Sequence, residues 1–267
     1  MTRIKCCLIA SLSIVFISCQ AEVDDIIEET KSCKIITGMY YGGSGGLNDS
    51  TSFIYDANGK LVKIEAQYGY YTFHYSGDKL IARRYYENMD LLWEDSVKWD
   101  GNSVSEFIQY DYSSGVSPEL ARYLMYYSGG RLSKIEMIDM YPDWVNGGML
   151  VDTFPTNVYW NPAGNIERLV FYDEFGDAVD SISYQYDNNT NFFKVVHPHF
   201  YLFDPMFELH AGFEPHLPYF YSKNNVTGFT IYDGFNYDIS YGLDSLNQVS
   251  EVKMDGFDYM KYKYRCD

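Results

Sequence analysis

The chain has 267 residues and carries 37 Asp and Glu against 20 Lys and Arg, a formal charge of −17. A balance this acidic, with basic residues scattered singly, argues against nucleic-acid phosphate and anionic lipid headgroups as partners, because both need a clustered positive field. Hydrophobic residues make up 46% of the chain and aromatics 18%, enough for a full core and too much for disorder. Tyr, Phe, Val, Ile and Thr abound while Ala is scarce, which favours strand over helix.

Residues 1–18 read as a signal peptide: Arg3 and Lys5 form a basic start, and the apolar run from Cys6 to Ile17 is too short to span a bilayer comfortably. The run ends in Phe16-Ile17-Ser18-Cys19, which resembles the bacterial lipobox and makes Cys19 the expected site of lipidation. Residues 19–32 form an acidic tether with Glu22, Asp24, Asp25, Glu28 and Glu29, which resembles the export signal of Bacteroidetes surface lipoproteins. The expected location is the outer membrane, lipid-anchored and exposed at the cell surface. Cys6 and Cys7 leave with the signal, so Cys33 and Cys266 remain in the folded part. They are the disulfide candidates, since an exported compartment permits such a bridge. Two free or separately buried thiols are the alternative.

From residue 33 to 267 one pattern recurs: an aromatic ends an alternating run, a turn of Asp, Asn, Ser or Gly follows, and an aliphatic residue opens the next run. It appears as Tyr55-Asp56-Ala57-Asn58-Gly59-Lys60-Leu61 and as Tyr75-Ser76-Gly77-Asp78-Lys79-Leu80. Weaker copies start at Trp99, Tyr127, Trp160, Tyr186, Tyr221 and Tyr241, and a half-unit ends at Tyr264. Each unit reads as a β-hairpin, because Asp or Ser opens a tight turn and Gly or Asn accepts the left-handed backbone it needs. The flanking runs alternate at period two, which puts successive side chains on opposite sheet faces. No stretch shows sustained helical periodicity; Pro118 to Met125 is expected to hold one or two helical turns.

The aromatic-x-Tyr-Asp-x-x-Gly-x-Leu unit is similar to the YD repeats of Rhs-type surface and toxin proteins. It looks most like a Bacteroidetes surface lipoprotein family built from such repeats. In that family a repeat is followed by an aromatic and Pro-rich insert that returns to the sheet through Ser-x-Asn-Asn. Here Tyr186-Asp187-Asn188-Asn189, the insert from Asn191 to Tyr219, and Ser222-Lys223-Asn224-Asn225 match that order. The resemblance implies an all-β fold and a surface location. It carries no activity, so no catalytic residue is transferred.

The expected fold is therefore all-β: repeated antiparallel β-hairpins forming a long twisted or curled sheet, with one aromatic and Pro-rich insert. Whether that sheet is open or closed is not fixed by the pattern. The expected role is non-enzymatic, without a cofactor: binding of an extracellular partner, polysaccharide ahead of protein. Trp93, Trp99, Trp144 and Trp160 are the candidate ligand-binding residues, because sugar rings stack on indole faces while Asp and Asn bond hydroxyls. Two alternatives stay open, a hydrolase and a structural or adhesive coat protein. The hydrolase would use metal at His197, His199, His210 and His216 in the insert, or a carboxylate pair drawn from residues such as Asp139, Asp143, Asp173, Glu174 and Asp177. Gly42-Gly43-Ser44-Gly45-Gly46 is glycine-rich but lacks the Lys-Ser/Thr tail and the following helix of a phosphate-binding loop, and it reads as a flexible loop.

Overall fold

A hairpin turn here is built by one carboxylate. Asp56 Oδ1 accepts the backbone N–H groups of Asn58 at 2.9 Å and Lys60 at 2.8 Å, and Gly59, at φ 79°, supplies the left-handed step. The arrangement repeats where Asp244 accepts from Leu246 and Gln248, and where Asn161 accepts from Asn165. Such turns join antiparallel strands throughout the computed structural model, which describes residues 33–41, 47–113, 119–142, 149–192, 217–231 and 234–266.

In chain order the strands are β1 (Cys33–Tyr41), β2 (Leu47–Tyr55), β3 (Leu61–Glu65), β4 (Tyr70–Ser76), β5 (Lys79–Glu87) and β6 (Asp90–Asp100). There follow β7 (Ser103–Asp111), β8 (Glu119–Ser128), β9 (Arg131–Pro142), β10 (Met149–Trp160), β11 (Ile166–Tyr172) and β12 (Ala178–Thr190). After one helical turn, α1 (Leu217–Tyr221), come β13 (Asn224–Ile231), β14 (Asn236–Leu243), β15 (Val249–Met254) and β16 (Phe257–Cys266). Each strand neighbours the next in sequence, and β1 neighbours β16, so the hairpins close into a barrel. Residues Cys33–Arg265 form one compact unit. The sheet expected as twisted or curled thus closes on itself, which leaves it no edge strand.

The helical turns expected at Pro118 to Met125 are not formed: β8 runs through Glu119–Ser128 instead. Ala121, Tyr123 and Met125 are all buried at period two, and β8 pairs with β7 on one side and β9 on the other. Two flanking ladders outweigh the local helix propensity of Leu, Ala and Met. Pro118 lies outside the described residues.

The barrel interior is packed. One cluster of buried hydrophobics takes members from each of the sixteen strands, among them Ile35, Ile64, Phe73, Phe107, Tyr123, Ile135, Leu169, Tyr184, Ile239, Val252 and Met260. The opposite face carries cross-strand ion pairs such as Lys98–Glu106 at 2.8 Å and Arg122–Glu106 at 3.2 Å. A barrel that spans a bilayer has the reverse arrangement, apolar outside and polar within. Among the described residues no helix is long and apolar enough to cross a membrane.

Candidate functional site

The repeat aromatics gather at one rim. Apart from Tyr221, which is on α1, each sits near the end of an even-numbered strand, and most donate a hydrogen bond back to a main-chain carbonyl near the start of the strand before it. Among the described residues this bond is made six times: Tyr75 to Leu61, Trp99 to Leu80, Trp160 to Leu132, Tyr186 to Ile166, Tyr241 to Val226 and Tyr264 to Val249. Distances run from 2.5 to 2.8 Å. Tyr127 also bonds the backbone of Val104 at the start of β7, but in the sense that eases loss of its proton, so it is not the same donation. The accepting residues are the aliphatics that open each run, and all are buried.

A bulge aims these rings. The pairing register shifts immediately before Tyr55, Tyr75, Trp99, Tyr127, Trp160 and Tyr186. In the first hairpin Ile54 pairs with Lys63 while Tyr55 pairs with Leu61, so Val62 is the extra residue. The extra residue lets Leu61 and Ile64 both face inward, three positions apart. Burial of the hydroxyl raises the affinity of these tyrosines for their proton: Tyr75 is pushed up to about 12, with Asp56 adding to the effect. Tyr186, Tyr241 and Tyr264 are raised by burial as well. They act as donors, not as bases.

Between three consecutive rim aromatics a cleft of about 340 Å³ opens, walled by Trp99, Tyr127 and Trp160 and completed by Tyr221 and Arg131. Tyr221 comes from α1, where the insert returns; its hydroxyl lies 3.3 Å from that of Tyr127 and 3.8 Å from Met125 Sδ. The base of the insert is pinned by buried polar groups. Ser222 Oγ accepts the Ile166 N–H at 2.9 Å, Asn225 Oδ1 accepts the Phe192 N–H at 2.7 Å, and Asn224 bonds Asn165 through both backbone and side chain. All three polar residues of the Ser-x-Asn-Asn motif are therefore hydrogen-bonded to neighbouring segments directly after Tyr221.

Both tryptophans spend their N–H on a carbonyl, so what they offer a ligand is ring surface. A cation sits over each: Lys79 Nζ is 5.6 Å from the Trp99 ring and the Arg131 guanidinium 5.5 Å from the Trp160 ring. The chemistry its described lining offers is stacking on ring faces with a small number of polar contacts.

The structure brings together Trp99 and Trp160 of the four tryptophans singled out in the sequence. Trp93 stands towards the other end of β6, about 20 Å from Trp99 at the usual rise per residue, and is 41% exposed. Trp144 lies outside the described residues, as do Cys19 and His197, His199, His210 and His216. Among the described residues no group of three or more His, Cys, Asp or Glu is placed to hold a metal. The described carboxylates are dispersed: Asp139 lies in β9, whereas Asp173, Glu174 and Asp177 form the turn between β11 and β12. There Asp173 Oδ1 accepts the N–H groups of Phe175 and Asp177, a structural use. Asp143 is outside the described residues. Cys266 is disulfide-bonded, and the side chain of Cys33 is outside what is described. Tyr127, Tyr221 and Arg131 were not among the expected site residues. The signal that could have found Arg131 is the basic residue placed just before the buried aliphatic at Lys34, Lys60, Lys79 and Arg131.

No protein-family model matches the chain, and no curated protein matches it. Among solved structures it is similar to a porin-like protein from Bacteroides uniformis, 11% identical, covering 89% of this chain and 98% of that one with a TM-score of 0.37. It is also similar to chains of the complexes TcdB2-TccC3-TEV and TcdB2-TccC3-Cdc42, each 12% identical, with TM-scores of 0.36 and 0.37. These likenesses cover 82% and 86% of this chain, which spans 11% and 12% of the respective toxin-complex chains.

Proposed function

We propose that this chain is a lipid-anchored protein of the outer membrane, held at the cell surface by Cys19, that binds an extracellular polysaccharide without acting on it. The observation that carries the binding reading is the rim cleft. Its volume of about 340 Å³ falls within the range of small-molecule sites, and two indoles and two phenols are among the residues that line it. Indole and phenol faces match the C–H faces of pyranose rings, and the rim hydrogen bonds hold the two indoles in place before any ligand arrives. The anchor reading rests on the Ser18-Cys19 junction and the acidic tether behind it. A Bacteroidetes lipoprotein with YD-like repeats is the family this reading favours. The charged outer wall agrees with a tethered domain that stands in water.

The binding reading is tested by electrophoresis of the purified chain through gels cast with host and dietary polysaccharides, with and without zinc. Retardation by at least one polysaccharide without zinc is expected; migration unchanged in every gel contradicts the reading. For the anchor, Cys19→Ala is expected to release the protein from membranes without detergent. Continued need for detergent overturns it.

A further inference from the structure

In so acidic a chain most cations of the barrel wall meet a carboxylate. Lys60 pairs with Asp78, Lys63 with Glu65, Arg83 with Asp95, Arg84 with Glu94 and Lys134 with Glu136. The cations over the two cleft tryptophans do not. Lys79 spends its ammonium on the Gly101 carbonyl and the Trp99 face. Arg131 is exposed, lies over Trp160, and makes no ion pair among the described residues. Among the described residues it is the one charged side chain lining the cleft.

A guanidinium 5.5 Å from an indole centroid is held there by its charge, and a five-donor fork at that distance keeps N–H groups available to a ligand. Those donors form a fork that fits a carboxylate with two parallel hydrogen bonds. An uncompensated arginine held against an aromatic wall in a chain of formal charge −17 is therefore a prepared anion contact beside a sugar-stacking surface. The long-range field of the protein opposes an acidic polymer. At physiological salt that field is screened over about 8 Å, so the partner at contact distance decides the outcome.

We infer that the rim cleft takes a carboxylate-bearing saccharide, a sugar of the uronic-acid type, whose acid group pairs with Arg131 while its ring lies against Trp99 and Trp160. This inference rests on the saccharide-binding reading and sharpens it to a substrate class. The position of Arg131 supports the assignment further. It is the first residue of β9, directly before Leu132, whose carbonyl holds the Trp160 indole. One short segment thus orients both the stacking surface and the anion contact.

The test compares binding of the full chain to polygalacturonate, alginate and hyaluronan with binding to the same polymers after their carboxyl groups have been reduced to alcohols. At least one acidic polymer is expected to bind about tenfold or more tightly than its reduced form. Arg131→Ala is expected to abolish that preference, and Arg131→Lys to restore part of it. The Arg131 side chain is exposed at a turn, so these variants are expected to keep the wild-type denaturation midpoint, which checks that they fold. Equal binding of every acidic polymer and its reduced form, or an acid preference unchanged in Arg131→Ala, overturns the inference and leaves the saccharide reading standing. Binding to no polymer, acidic or neutral, overturns both.

Discussion

Trp160 donates its indole N–H to the carbonyl of Leu132 at 2.7 Å, closing a bond between the end of β10 and the start of β9. Trp99 does the same to Leu80, and four tyrosines do it with a hydroxyl. Indole and phenol are thus interchangeable as the rim donor, although they differ in ring area. The ligand-facing surface can vary while the bond that holds each hairpin to its neighbour is kept.

That interchange predicts a graded series at Trp160. Trp160→Tyr, which keeps a donor, is expected to lower stability by less than about 1 kcal/mol. Trp160→Phe, which leaves the Leu132 carbonyl without it, is expected to cost about 1–2 kcal/mol. Denaturant midpoints at unchanged slope measure the difference; equal values for the two variants contradict the role of the bond.

The buried tyrosines predict alkaline sensitivity. The Tyr75 hydroxyl titrates near 10 when unfolded and is pushed up to about 12 in the barrel, so the folded state binds this proton more tightly. Its contribution is whole below about pH 10 and is lost as pH rises through about 12. Tyr186, Tyr241 and Tyr264 are shifted in the same direction, chiefly by burial. The denaturant midpoint is expected to fall steeply above about pH 10, with part of the tyrosinate absorbance appearing only on unfolding. A midpoint flat over that range contradicts the assignment.

Much of this was legible in the sequence because it is local. Asp56, Asn58 and Gly59 announce their turn, and Leu61 through Glu65 announces a strand, within a few residues of each other. The Ser222, Asn224 and Asn225 cluster stood out as a return motif, and each member proves to hold a backbone group or a neighbouring Asn. Ring closure was not legible, since no property of a single hairpin says how many must assemble before β16 meets β1. The bulges were hidden for a related reason: Val62 becomes an extra residue only once Ile54 and Tyr55 have chosen partners. The cleft brings Trp99, on β6, near Trp160, on β10, across three intervening strands. Helix propensity misled at Leu124 and Met125, where pairing on both sides of β8 decides the conformation.

The closing strands predict a covalent link. Tyr264 and Ile35 occupy the aromatic and aliphatic places of a repeat, but β16 and β1 are the last and first strands, so no hairpin turn joins them. Cys266 follows Tyr264 by two residues and Cys33 precedes Ile35 by two, the places a turn would fill. We expect Cys33 to be the disulfide partner of Cys266. Mass analysis of unreduced peptides checks this, and reduction is expected to cost about 3–5 kcal/mol. A peptide linking Cys266 to any other cysteine contradicts it.

Two glycines separate contact from conformation. A Cβ at Gly69 would collide with the Tyr86 carbonyl and the Tyr85 ring, so Gly69→Ala is expected to cost more than about 2 kcal/mol. Gly77 has open space around it but a φ of +58°, so Gly77→Ala is expected to cost only about 1 kcal/mol. The order of the two midpoints is the check, and its reversal contradicts the packing of β4 on β5.

The saccharide assignment of the rim cleft is tested most directly by comparing Trp99→Ala and Trp160→Ala with Trp93→Ala in polysaccharide-retardation gels, each variant first shown to fold by near-UV circular dichroism. Trp93 stands towards the other end of β6 and serves as the internal control. Retardation is expected to be lost in both cleft variants and kept in Trp93→Ala. Retardation kept in both cleft variants, or lost only in Trp93→Ala, contradicts the cleft as the binding site.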